Sequence, residues 1–146
     1  MALEVKAVWT DDGRDWLAQY VGNKIVSTGV EGFFRYGEGG FVGAEPKEPL
    51  PSQSPTIDAL GFGVNALFFI QKALAPGDII LPTSNSLEVS CLLDFGEAND
   101  RGDATPPVFF EIGLFESSGV MVAYGTFPSE TKTILTQLLK KVTLQF

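Results

Sequence analysis

Apolar and polar residues alternate at the start of the chain, where Leu3, Val5, Ala7 and Trp9 face away from Glu4 and Lys6, a pattern that predicts a short half-exposed strand. The period then changes. Thr10 or Asp11 can accept hydrogen bonds from the free amides of a first helical turn. Asp11 and Asp12 suit the positive end of that helix, and Trp16, Leu17 and Tyr20 form one apolar stripe ending at Gly22. From Lys24 to Tyr36 the residues read as extended, with Gly29 and Gly32 as bends. The segment 37–56, GEGGFVGAEPKEPLPSQSPT, has no apolar period and reads as a long loop suited to reaching a partner.

Further along, ALFFIQKAL (66–74) fits strand better than helix, because a predicted type II turn centred on Pro76 and Gly77 and neighbouring strands flank it. Leu87, Val89, Cys91, Leu93 and Phe95 share one face of a strand, and the acidic loop GEANDRGDATPP (96–107) follows. A β-hairpin comes next, turning at ESSG with Gly119 in the left-handed bulge position. Strict alternation puts Val108, Phe110, Ile112 and Leu114 on one face of its first strand and Phe109, Glu111, Gly113 and Phe115 on the other. The return strand divides Val120, Val122 and Tyr124 from Met121, Ala123 and Phe127. Neither face is polar enough to meet water, so each needs a cover. In the tail, Ile134, Leu135, Leu138, Leu139 and Val142 keep helical spacing, whereas Val142, Leu144 and Phe146 alternate, which predicts a short helical turn and then a strand.

Strands joined by turns, with one helix near the N-terminus, predict a β-rich α+β domain. Its pairing is mainly antiparallel, as a sheet or a sandwich, with a helical turn near the C-terminus. The 146 residues fit one domain, 1–146, and 45% apolar residues supply a core without disulfide staples. A net charge of −8 opposes binding to nucleic acid or to an anionic membrane, and the ten Lys and Arg are scattered. The most apolar run, ALGFGVNALFFI, is 12 residues long, short of the roughly 18 to 20 that cross a bilayer. With no signal-peptide pattern at the start, the expectation is a soluble protein made in a cytoplasm.

Histidine is absent, which removes the commonest general base and the commonest metal ligand. Cys91 lies within an apolar face and reads as a buried packing residue. GEGG at Gly37 to Gly40 lacks the Lys-Ser/Thr ending of a phosphate-binding loop, and DFG at Asp94 to Gly96 stands without other kinase elements. The oxygens of Asp94, Glu97, Asn99, Asp100 and Asp103 do not follow the calcium-loop spacing, and RGD at Arg101 to Asp103 is a chance-length match. No enzyme, no cofactor and no metal site are expected.

The stretch FFEIGLFESSGVMVAYGTFPSETK resembles the N-terminal domain of bacteriophage tail-collar fibre proteins and related baseplate components. The positions that carry the likeness are Glu111, Ile112, Gly113, Leu114, Phe115, Gly119, Pro128 and Lys132. TDDGRDWLAQ is similar to that family's opening helix, and FFRYGEGG to its aromatic-plus-glycine segment, in the same order. Long members of the family continue into a fibre shaft, whereas this chain stops at Phe146, so the resemblance implies an attachment or adaptor role rather than receptor recognition. It implies a non-enzymatic virion tail subunit, self-assembled as a trimer or hexameric ring and bound to other tail, baseplate or fibre proteins. On this reading one hairpin face meets a neighbouring subunit, which makes Phe109, Phe115, Met121 and Phe127, together with Tyr36 and Phe41, the expected interaction residues. An intramolecular cover is the alternative explanation of the two-sided ribbon. The rival function is a carbohydrate-binding module stacking sugars on Trp9, Trp16, Tyr36 or Phe41. A hydrolase built on carboxylates of residues 94–103 ranks third.

Overall fold

A computed structural model describes residues 5–22, 32–38, 41–42, 45–46, 69–83, 85–98 and 106–145. The elements are β1 (Lys6–Trp9), α1 (Asp11–Val21), β2 (Phe33–Gly37), β3 (Phe41–Val42), β4 (Glu45–Pro46), β5 (Phe69–Ala73), a 3-10 turn (Pro76–Asp78), β6 (Ile79–Thr83), β7 (Ser86–Leu93), β8 (Val108–Phe115), β9 (Met121–Thr131) and β10 (Leu138–Gln145). They form a five-stranded sheet in the order β1-β9-β8-β2-β5, a three-stranded sheet β10-β7-β6 and the small β3-β4 ribbon, with antiparallel neighbours throughout. The β-rich, antiparallel α+β class predicted from the pattern is the class observed.

Alternation explains how the two larger sheets meet. Leu87, Val89, Cys91 and Leu93 of β7, and Leu138, Val142 and Leu144 of β10, point from the three-stranded sheet into a core shared with Phe34, Tyr36, Phe109, Ile112, Leu114 and Phe127 of the larger sheet. The Tyr36 hydroxyl crosses that core to donate to the Cys91 carbonyl at 2.6 Å, and the Trp9 indole donates to the Gln145 carbonyl at 3.0 Å. These bonds satisfy polar atoms that burial would otherwise penalise, so they fix how one sheet sits on the other. A buried polar pair lies in the same layer. Lys140, 1% exposed, holds its ammonium 2.9 Å from Glu130 and 4.8 Å from the centre of the Phe127 ring.

Helix α1 starts where Thr10 leaves β1. The Thr10 hydroxyl accepts from the Gly13 amide at 2.8 Å and donates to the Met121 carbonyl at 2.5 Å, capping the helix and tying it to β9 together. Position 13 admits only glycine at this approach, because a Cβ there would stand 2.3 Å from the Val122 carbonyl oxygen.

Two irregularities in the β8-β9 register overturn strict alternation in the ribbon. Pairing shifts between Phe109 and Glu111, and again between Leu114 and Phe115. The first shift moves the pairing by two residues and the second by one, and strict alternation fails where the strands depart from regular pairing. Phe109 therefore joins Ile112 and Leu114 in the main core instead of lying with Glu111 and Phe115, and Val122 and Ala123 both enter that core. Phe115, Met121 and Tyr124 pack on the opposite face with Phe33.

Other expectations shift locally. Residues 133–136 make a single hydrogen-bonded turn instead of a helical segment, and Leu138, Leu139 and Val142 belong to β10. A 3-10 turn replaces the type II turn at Pro76, because the Asp78 carboxylate accepts from the Ala75 amide at 2.8 Å while the Asp78 amide donates to the Ala75 carbonyl at 2.9 Å. β7 ends at Leu93, so Phe95 leaves the strand face and is exposed in the following turn. The predicted extended segment 24–31 and most of the predicted loops 37–56 and 96–107 lie outside the described residues.

Candidate interaction surface

Of the residues expected to face a partner, Phe109, Phe115, Met121, Phe127 and Tyr36 are all buried inside the single chain. The Phe41 side chain lies outside the described residues. Tyr36 is enclosed by the rings of Phe34, Phe109 and Phe127, and burial pushes its phenol well above the ordinary tyrosine range. On the second face Phe33 and Phe115 stack at 4.8 Å, and the Arg35 guanidinium lies 4.6 Å from the Phe115 ring centre. Beside them the Tyr124 hydroxyl donates to the buried Glu111 carboxylate at 2.5 Å, and β4 lies against β9. The ribbon's two apolar faces are therefore covered within the chain, which corrects the expectation that one was kept for a neighbour.

The proposed sugar platforms meet the same obstacle, since Trp9, Trp16 and Tyr36 are buried. Cys91 is buried too, and desolvation raises its thiol far above the ordinary value, leaving it a packing residue. Among the described residues, no group of three or more Cys, Asp or Glu side chains is placed to hold a metal ion. No helix among them is long and apolar enough to cross a membrane.

Exposed large apolar side chains lie elsewhere. Leu135 is 84% exposed, Ile134 66% and Phe95 48%, and all three sit on turns that the β7-β10 pairing brings to one end of the three-stranded sheet. Leu93 pairs with Leu138, and the next step outward joins Gln137 to Asp94 through a 2.8 Å side-chain bond. Ile80 and Leu81 form a second exposed pair on the edge strand β6.

Hydrogen bonds brace both turns. In the first, the Glu97 carboxylate accepts from the Asp94 amide at 2.8 Å and from the Lys72 ammonium at 2.7 Å, while the Asp94 carboxylate accepts from the Phe95 amide. In the second, Thr136 Oγ1 accepts from the Thr133 amide at 2.9 Å, the Thr136 amide donates to the Thr133 carbonyl, and Thr133 Oγ1 accepts from the Leu135 amide at 3.2 Å. Ile134 and Leu135 are the two central residues of that turn, so they project from a framed loop. The Lys132 ammonium donates to the Thr133 carbonyl at 2.9 Å.

Charge around this end is organised as well. Gln137 and the Phe95 amide hold the Asp94 carboxyl below its ordinary range, and Lys72 does the same for Glu97. Lys132 is pulled below the usual lysine range by burial, partly offset by Glu97 and Asp94. The result is a pair of turns carrying exposed apolar side chains with ionised groups beside them.

Sequence reasoning placed Ile134 and Leu135 in helical spacing with Leu138, Leu139 and Val142 and missed β6. The signal that finds the tip is local. Thr133 and Thr136 bracket two apolar residues at turn spacing, three residues before a strand whose own apolar positions begin at Leu138. No protein family, curated protein or solved structure matches this chain.

Proposed function

We propose that the protein is a non-enzymatic structural subunit of a phage tail, a fibre adaptor or baseplate component that attaches fibres or neighbouring tail proteins. The observation that carries the assembly role is the braced turn end, where Ile134 and Leu135 are held outward and Phe95 is half-exposed, on two turns bonded to each other. Large apolar groups held outward cost solubility and contribute nothing to a lone molecule, so they fit a chain that works by contact. The tail assignment comes from the residue pattern Glu111-Ile-Gly-Leu-Phe115 through Gly119, Pro128 and Lys132. In this reading the copies follow the rotational symmetry of the tail, as a trimer or hexameric ring, and attach through the turn end instead of the ribbon.

Immunogold labelling of tailed particles from the producing lysate, paired with mass photometry of the purified chain, tests the proposal. Label confined to the tail or its fibre bases is the expected result. Unlabelled particles, together with a monomer at micromolar concentration, would sink it.

A further inference from the structure

We draw no further inference here: the strongest candidate, the exposed apolar pair Ile80 and Leu81 on strand β6 at the margin of the three-stranded sheet, carries none because nothing in the structure shows what covers it.

Discussion

The β8-β9 ribbon and the turn end at 94–97 and 132–137 are both apolar in sequence, and the fold treats them in opposite ways. Phe115, in the ribbon, is 0% exposed, whereas Leu135, in a turn, is 84% exposed. The ribbon lies at the middle of the larger sheet, with the second sheet on one face and Phe33, Arg35 and the β3-β4 ribbon on the other side of the strand pair's reach, so its residues have protein within contact on both sides. The turns stand past the last strand pair of the three-stranded sheet, at the Leu93–Leu138 end, and there Leu135 and Ile134 are exposed. Apolar density along a chain therefore measures how much must be buried, while position relative to the layers decides what stays available for contact.

The most forceful way to break this comparison is to truncate the ribbon. Phe115→Ala is expected to cost about 3–5 kcal/mol in urea or guanidinium unfolding, because a fully enclosed ring leaves a cavity behind. Loss of less than about 0.5 kcal/mol, the usual range for surface positions, would mean the ring waits for a partner after all. Next comes the ion pair between the sheets. Glu130→Ala is expected to cost about 3 kcal/mol, since it removes the carboxylate 2.9 Å from a lysine that is 1% exposed. Adding Lys140→Met should recover most of that loss, as an apolar side chain of similar length needs no counter-charge.

The class of fold was legible in the sequence because turn chemistry and period-two alternation are local signals. The capped helix at Thr10 and the turn at Gly119 follow from residues a few positions apart. The faces of the ribbon were not legible, because the register shifts at Phe109/Glu111 and Leu114/Phe115 arise between strands and leave no mark in either strand alone. Nor was the fate of Ile134 and Leu135. Their helical spacing with Leu138 and Val142 is real, but pairing of β10 along the whole of β7 claims Leu138 onward for a strand and strands the two preceding residues in a turn. β6 was missed for a related reason. Ile79 to Thr83 show no alternation because the strand is an edge, with exposed side chains along most of its length.

A smaller effect sharpens the view of the ribbon's own turn. Gly119 sits at φ +101° with open space around the position a Cβ would take. Gly119→Ala should therefore cost about 1–2 kcal/mol through backbone strain alone, without any clash, and chemical denaturation checks it. Smaller still is the pH response of the turn end. The Glu97 carboxyl is held below its ordinary value in the folded state, so it contributes stability above that value and loses it as pH falls through the folded one. Its side chain is 38% exposed, and solvent screening keeps the contribution under about 1 kcal/mol. Glu97→Gln should flatten the acid limb of the stability curve by that amount, and an unchanged limb would show that the Lys72 contact is not kept in solution.

The smallest expected change in stability tests the other half of the comparison. Ile134→Thr and Leu135→Gln replace side chains that touch mostly water, so unfolding free energy should move by no more than about 0.5 kcal/mol in either direction. The backbone bonds of the turn come from Thr133 and Thr136, which both substitutions leave in place. Solubility should rise at the same time, because two large apolar groups leave the surface. A pair of residues that can be made polar without cost to the fold, yet is held outward by five bonds among its own neighbours, has no role in keeping the chain folded. If either variant instead unfolds at markedly lower denaturant, the tip belongs to the core and the contrast with the ribbon disappears.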